Sequence, residues 1–198
     1  MKQFVRLVAV TLALAAAAQA SAETWTIDPA HTVAGFTARH MMITNVTGVF
    51  ETAAGTIDYI PGNPGATKAD IIIEAKSINT RNARRDTHLK TDDFINVEKY
   101  PRITFKSKRV QNVRADGFDM VGDLTIRDVT KEVVLKVDGI APPIKDPQGN
   151  RRVGANATTT INRKDYGVNY NRALEAGGVL IGDEVKINIE IQAVEKRG

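Results

Sequence analysis

The stretch Val185-Lys186-Ile187-Asn188-Ile189-Glu190-Ile191-Gln192-Ala193 alternates strictly between apolar and polar side chains. Successive side chains of a β-strand point to opposite faces, so strict alternation indicates a strand with one face buried and the other in water. This segment predicts a half-buried antiparallel strand and decides the fold class.

The same period of two recurs along most of the chain. Turn-forming residues separate the alternating runs at 61–65, 115–117 and 146–150, and Asp116-Gly117 is a strong hairpin signal. The side chains that alternation assigns to an interior face, and that we predict to line it, are Phe36, Ala38, His40, Phe50, Ile103, Phe105, Phe118, Met120, Leu124 and Ile126.

About eight long antiparallel strands that are polar on one face cannot bury the other face as a flat sheet. They have to fold into a sandwich or close into a barrel, and closure also removes exposed strand edges. The sequence therefore predicts an all-β fold, an extended antiparallel eight-stranded β-barrel. A barrel of this size is wide enough either to fill with side chains or to hold one slender ligand, and the periodicity leaves both open.

A short helical connection is predicted around residues 80–96, where apolar residues are sparse and charges dense. Thr91-Asp92-Asp93 resembles a helix N-cap. The cluster from Arg81 to His88 could clamp a phosphate or another polar headgroup, because arginine offers a fork of donors that matches such anions. The alternative, which the local ion pairs favour, is a solvated helix face. We predict that Arg81, Arg85 and Phe94 lie at the mouth of the barrel.

Composition excludes several kinds of chemistry. The chain of 198 residues has no cysteine, which excludes disulfides, cysteine-ligated zinc, iron–sulfur clusters and thiol catalysis. The formal net charge is only +4, and the strands show no basic patch interleaved with aromatic residues, so no nucleic-acid partner is expected.

Catalytic motifs are absent as well. The sequence has no nucleophile elbow, no zinc-protease motif, no P-loop and no dinucleotide fingerprint. His31, His40 and His88 have no spacing that suits a metal site. We predict no catalytic residues, no metal and no cofactor.

The first 22 residues are predicted to be a cleaved signal peptide. Lys2 and Arg6 precede an apolar run from Leu7 to Ala18, and Ala20-Ser21-Ala22 places small residues at the cleavage site. About twelve apolar residues are too few to span a bilayer, which needs roughly twenty. We expect cleavage after Ala22, a single domain over residues 23–198, and a periplasmic location.

Taken together, several segments resemble the YceI-like family of exported bacterial proteins. The match runs in order along nearly all of the chain after the predicted cleavage site. The segments that carry it are 25–31, 36–43, 46–50, 77–80, 85–90 with 93–94, 100–105, 122–126 with 129–131, and 161–163 with 165–167.

The resemblance implies a lipocalin-like barrel that holds a long lipophilic chain, typically a polyisoprenoid or an isoprenoid quinone. It also implies export, a homodimer and an association with stress responses, and we add transient membrane contact as an expectation. It supplies no catalytic residues.

Two other functions stay open at this point. One is an enzyme that acts on a prenyl-lipid headgroup through Arg85, Asp86 and His88. The other is a packed barrel with a structural or stress-protective role and no ligand.

The order of basic residues, apolar run and small residues generates a first prediction. The mature protein should begin at Glu23 and be recovered from the periplasm without detergent. Amino-terminal sequencing of the exported protein checks this, and a sequence that starts at Met1 would contradict it.

Overall fold

The computed structural model describes residues 22–175 and 177–196. Apart from Ala22, the predicted signal peptide lies outside the described residues. One α-helix, α1 (Ala83–Leu89), interrupts a fold of strands. The strands are β1 (Glu23–Ile27), β2 (Val33–His40), β3 (Thr44–Phe50), β4 (Ala53–Tyr59), β5 (Lys68–Glu74), β6 (Ile78–Asn79), β7 (Arg102–Gln111), β8 (Gly117–Ile126), β9 (Val129–Asp138), β10 (Ile144–Lys145), β11 (Arg151–Asn162) and β12 (Ile181–Glu195).

The strands close into a barrel of eight staves, all paired antiparallel. A stave here is one strand, or two successive strands that follow each other along the same line of the barrel wall. Around the ring the order is β9–β8–β7–β5–β4–β1–β12–β11, and β11 pairs back with β9. β2 continues the stave of β1 along β12, β3 continues β4, and β6 continues β5. The predicted eight-stranded antiparallel barrel is confirmed, with three of its staves broken in two.

The breaks in two neighbouring staves lie side by side. Ser77, in a turn of 3-10 helix at Ala75–Ser77, donates its hydroxyl to the carbonyl oxygen of Glu74 and accepts the backbone N–H of Thr52. The carbonyl oxygen of Ser77 accepts the N–H of Glu51. These bonds replace the ladder where the strands bend, so the corner leaves few backbone groups unpaired.

The pairing of β11 with β12 is the longest in the barrel. It joins eleven residue pairs, from Arg152 opposite Val194 to Asn162 opposite Glu184. On its other side β12 pairs with both β1 and β2. The strand whose alternation decides the fold class therefore connects three others.

The ring is weakest between β9 and β11. Only three pairs join these strands, from Asn156 opposite Asp138 to Thr158 opposite Lys136. Beyond them the strands separate, and a surface pocket lined by residues of both strands lies in the gap. The ring of Tyr166 forms part of the wall of this pocket and of the barrel interior.

The two ends of the barrel differ. The end that we call the helix end carries α1, the turn between β2 and β3, and residues 163–175 and 177–180. The opposite end, called the turn end, carries the loops at residues 60–67, 112–116 and 139–150.

The helix lies within the predicted helical connection at residues 80–96 but is shorter than it. The side chain of Asn82 accepts the backbone N–H of Arg85 and so caps the start of α1. Thr91 does not cap a second helix, because its hydroxyl donates to the carbonyl oxygen of His88 in the last turn of α1. The prediction of an N-cap at Thr91 is wrong, and residues 90–101 form turns instead of helix.

Salt bridges fasten the turn end. Arg152 of β11 donates to Asp28, between β1 and β2, at 2.6 Å and to Asp146, beside β10, at 2.8 Å. The bond from Arg152 is the main reason that the pKa of Asp146 falls to about 2. His31 and Arg152 lower the pKa of Asp28 in the same way.

These lowered pKa values generate a second prediction. A carboxyl group whose pKa is lower in the folded state stabilises the fold above its ordinary pKa, and the contribution disappears as the pH falls through the folded value. The free energy of unfolding should therefore decrease as the pH falls from about 4 to about 2. Urea unfolding at a series of pH values measures this.

The matched variants are Arg152→Gln and Arg102→Gln. Arg152→Gln should flatten the acid dependence, whereas Arg102 makes only a long contact of 3.8 Å with Glu74 and its removal should leave the dependence unchanged. An unaltered acid profile in Arg152→Gln would show that this cluster does not fasten the turn end.

Candidate functional site

A cavity occupies the interior of the barrel. Its lining extends from Tyr59 and Val153 near the turn end to Arg85 and Phe94 at the helix end. On β12 the lining residues run from Ile181 to Ile191. Ten residues of a strand span about 33 Å, and strands in barrels tilt by about 40°, so the cavity is on the order of 25 Å long.

The ten side chains assigned to the interior from the sequence all line this cavity. They come from β2, β3, β7 and β8, and alternation along each strand points them inward. They are Phe36, Ala38, His40, Phe50, Ile103, Phe105, Phe118, Met120, Leu124 and Ile126. Whether they bind a ligand stays a prediction.

Two of the three predicted mouth residues also reach the cavity. Arg85 and Phe94 line its helix end, but Arg81 does not. Arg81 adopts a positive φ of 62°, and its guanidinium donates to the hydroxyl of Thr47 on β3. The left-handed backbone turns the chain at this point, so Arg81 is exposed beside the wall and does not belong to the cavity.

Two glycines keep the cavity open by receiving aromatic rings. A Cβ atom at Gly122 would lie 2.5 Å from the Cζ atom of Phe105, and one at Gly48 would lie 2.4 Å from the Cζ atom of Phe36. Each ring therefore lies against the wall over a glycine of the neighbouring strand. A larger residue at either glycine would push the ring toward the centre.

Charge is distributed unevenly along the cavity. Among the described residues, no carboxylate lines it, and its basic side chains all belong to the helix end. They are Arg39, His40, Arg85 and Arg163. The polar side chains that line the cavity toward the turn end are neutral, among them those of Thr32, Tyr59 and Thr67.

Arg85 is held in place by a short network. Its Nε and guanidinium nitrogen donate to the hydroxyl and carbonyl oxygens of Thr80, which is buried. The carboxylate of Asp86 accepts both the backbone N–H and the hydroxyl of the same threonine. Arg85 and Asp86 therefore fix the start of α1 to the end of β6, and the guanidinium stays at the edge of the cavity.

Sequence reasoning missed Arg163, which is the buried cation of the site. Its guanidinium donates to the carbonyl oxygens of Val168 at 2.6 Å and Tyr170 at 2.9 Å, and its Nε donates to that of Gly182 at 3.0 Å. Burial lowers the pKa of Arg163, and the charge of Asp183 opposes that shift. The arginine therefore connects the loop after β11 to the start of β12.

The hydroxyl of Tyr166 is buried without a hydrogen-bond partner among the described residues. Burial raises the pKa of Tyr166 to about 12, so the phenol is neutral at physiological pH. An unpaired buried hydroxyl is costly. The hydroxyl of Tyr166 is thus a free hydrogen-bond donor at the cavity wall, next to the gap between β9 and β11.

The histidines lie apart from one another. His88 on α1 contacts Asp93 at 2.7 Å and His31 contacts Asp28 at 2.9 Å, while His40 lines the cavity. Within the described ranges no cluster of three or more histidine or acidic side chains could hold a metal ion. In the same part of the chain, no helix is long and apolar enough to cross a membrane.

An eight-stave barrel with a long apolar interior defines a lipocalin-like class of protein. The chain belongs to the YceI-like family, since the model of the YceI-like domain matches residues 25–193. A UPF0312 protein of Staphylococcus aureus strain N315 is 36% identical over 162 residues, covering 82% of this chain and 92% of that protein.

Solved structures agree with this assignment. A YceI protein of Campylobacter jejuni has a TM-score of 0.67 at 33% identity and covers 80% of this chain and 90% of its own. BcnA of Burkholderia cenocepacia has a TM-score of 0.73 at 17% identity, with coverage of 84% and 98%. A domain of Saccharophagus degradans, described as polyisoprenoid-binding, has a TM-score of 0.64 at 15% identity, with coverage of 88% and 99%. The last two share the fold with this chain.

The packing of Phe105 over Gly122 generates a third prediction. Gly122→Ala should destabilise the protein by about 1–3 kcal/mol, because the added methyl group displaces the ring or the backbone of β7. The displaced ring should also narrow the cavity. Chemical unfolding measures the first effect, and the crystal structure of the variant measures the second.

The control is Gly154→Ala, where the nearest atom to an added Cβ would be the carbonyl oxygen of Ile191 at 3.4 Å. This variant should unfold almost as the wild type does. Equal stability of the two variants would mean that Phe105 does not depend on the glycine beneath it.

Proposed function

We propose that this protein is a periplasmic carrier that holds a long lipophilic chain, a polyisoprenoid or an isoprenoid quinone, inside its barrel. The observation that carries the proposal is the cavity, which is apolar from the turn end to the start of the helix end. In a barrel without a ligand, side chains would fill such a space, because protein interiors are close-packed. Here the rings of Phe36 and Phe105 lie against the wall instead.

The charge distribution suggests how the ligand lies. A hydrocarbon tail suits the uncharged lining contributed by β8 and β12. A polar or anionic head suits the helix end, where Arg39 and Arg85 line the cavity without a lining carboxylate. The ligand would then enter tail first and keep its head among these cations.

Energetics favour an exchange between the barrel and a bilayer. A chain of about forty carbons gains roughly 30 kcal/mol on leaving water, at ~0.8 kcal/mol per CH₂. That exceeds the practical ceiling of about 18–21 kcal/mol for non-covalent affinity, so water is the wrong reference state. Transfer from the apolar interior of a membrane to the apolar interior of the barrel should be nearly balanced, which a carrier requires for release.

The relatives support the proposal in different degrees. The Saccharophagus degradans domain, described as polyisoprenoid-binding, has the same barrel. Membership of the YceI-like family favours a binding protein over an enzyme. The periplasmic location depends on the predicted signal peptide, and the homodimer and the stress-related role depend on the family resemblance alone.

Organic extraction of the purified protein, followed by mass spectrometry, tests the proposal directly. The protein should release a long-chain isoprenoid in near-stoichiometric amount. His88→Ala should retain this ligand, because His88 lies on α1 outside the cavity lining. Leu124→Asp should lose it, because it would place an unpaired carboxylate beside hydrocarbon. A wild-type protein that is folded but empty after native purification would contradict the proposal.

A fourth prediction uses Met120, which is buried in β8 and lines the cavity. Met120→Ala should cost roughly 2–5 kcal/mol in the lipid-free protein, as for a large-to-small change in a packed core. In the loaded protein the flexible ligand can shift into the gap, so the loss should be clearly smaller. Chemical unfolding with and without extracted lipid measures both. Equal, large losses would mean that Met120 sits in a filled core.

A further inference from the structure

The turn between β2 and β3 has residues that its geometry does not favour. Ile43 donates its backbone N–H to the carbonyl oxygen of His40 at 3.1 Å, and the two residues between them, Met41 and Met42, have φ of 51° and 61°. Two positive φ values in a hairpin turn are the pattern of a type I′ turn, which favours Asn-Gly. Methionine at both positions is strained, because a Cβ atom is unfavourable in the left-handed region.

The same turn exposes contiguous apolar surface. Met41, Met42 and Ile43, which we call the apolar tip, are 41%, 50% and 73% exposed. The other exposed large apolar residues among those described stand singly in the sequence; they are Val33, Ile72, Val113, Val134 and Ile144. Strained backbone and exposed apolar side chains therefore coincide at one turn. Contact with water stabilises neither of them.

The apolar tip is held in a defined position. The backbone N–H of Met41 donates to the carbonyl oxygen of Leu180 at 2.7 Å, and Met42 lies next to Gly178. Residues 172–175 and 177–180 lie side by side and are joined by a bridge between Ala173 and Val179. The tip is therefore braced against a neighbouring element.

The tip stands at the helix end of the cavity. Arg39 and His40, which immediately precede it in β2, both line the cavity, and so does Ile181, which pairs with His40. Whatever surface the tip touches would lie next to the cationic end of the interior.

Exposed cations flank the tip. The guanidinium of Arg81 donates to Thr47 on β3. The backbone carbonyl oxygen of Arg172 accepts the N–H of Leu180, the residue that binds the backbone of Met41. Neither guanidinium forms an ion pair within the described residues. Asp183, which follows Ile181 at this end of β12, is bound by Lys164 at 2.9 Å and by Arg163 at 3.4 Å.

We propose that the apolar tip inserts into the surface of an anionic lipid bilayer and docks the helix end of the barrel onto it. This inference rests on the proposed function and names the surface with which the barrel exchanges its ligand. Apolar side chains at the boundary between headgroups and acyl chains lose the exposure that they have in water. Arg81 and Arg172 would meet lipid phosphates on either side.

A bilayer fits the tip better than a second copy of the chain does. Three residues form a narrow, convex projection, whereas a stable protein interface buries on the order of 1,000 Å² or more. A twofold dimer through this turn would also bring the cations of one copy toward those of the other. An anionic lipid surface accepts both the apolar residues and the charges.

Vesicle co-sedimentation tests the proposal with the chain from Glu23 onwards, which carries all twelve strands and α1. The probe is a vesicle of phosphatidylcholine with phosphatidylglycerol, compared with phosphatidylcholine alone. The variant Met41→Asn/Met42→Gly introduces the residues that the turn favours. It should melt at the same or a higher temperature and bind anionic vesicles at least about tenfold more weakly. Ile144→Ser, which likewise removes an exposed apolar side chain but at the turn end, should bind as the wild type does.

Charge is tested separately. Arg81→Gln and Arg172→Gln should each weaken binding to anionic vesicles by about fivefold and leave binding to neutral vesicles unchanged. Lys145→Gln at the turn end is the matched control. Raised salt should weaken the wild type more than either arginine variant.

Because the chain has no cysteine, a single label can report insertion directly. An environment-sensitive dye on Ile43→Cys should shift to shorter wavelength when anionic vesicles are added, and the same dye on Ile144→Cys should not. No vesicle binding by the wild type, or full binding by Met41→Asn/Met42→Gly, would overturn the inference. Loss of a dimer in that variant would overturn it in favour of self-association. A protein that yields lipid on extraction but ignores vesicles would leave the proposed function standing without this docking.

Discussion

The apolar inner face of β12 is the constraint on which the rest of the barrel depends. Val185, Ile187 and Ile189 point into the cavity, while Lys186, Asn188 and Glu190 point to solvent. A shift of one residue in the pairing with β11 would exchange the two sets and bury charges in the cavity. Since β12 also pairs with β1 and β2, its register determines which residues of three other strands face inward.

Alternation predicted the fold and the lining because it is a local property of each strand. Ten side chains assigned inward from the sequence lie around one cavity, although they come from four strands. The breaks in the staves could not be foreseen in this way. Ser77 replaces ladder bonds at Glu74, Glu51 and Thr52, and only the folded chain brings these groups together.

The basic residues show the same division between local and distant causes. The sequence groups Arg81 with Arg85 because they are neighbours in a charged run, yet the structure places only Arg85 at the cavity. The sequence analysis does not assign Arg163 to the site, because what holds it there is a set of carbonyl oxygens from Val168, Tyr170 and Gly182. Asn162 caps the turn at Arg163–Tyr166, which is a readable local signal, but it does not reveal those acceptors.

Irregular backbone is concentrated where the strands stop pairing. Of the six described non-glycine residues with positive φ, Asn112 alone belongs to the turn end, and the others lie at the helix end: Met41, Met42, Arg81, Asn96 and Arg127. Strained backbone of this kind persists where the surrounding structure holds it and often accompanies function. A closed ring of paired strands stabilises a cavity but gives a long ligand no way in, so a carrier of this fold would exchange its ligand where the ring opens. Salt bridges fasten the turn end, whereas the helix end combines separated strands, cations and strained turns. Under the proposed carrier function, the helix end is therefore where the ligand would enter and leave.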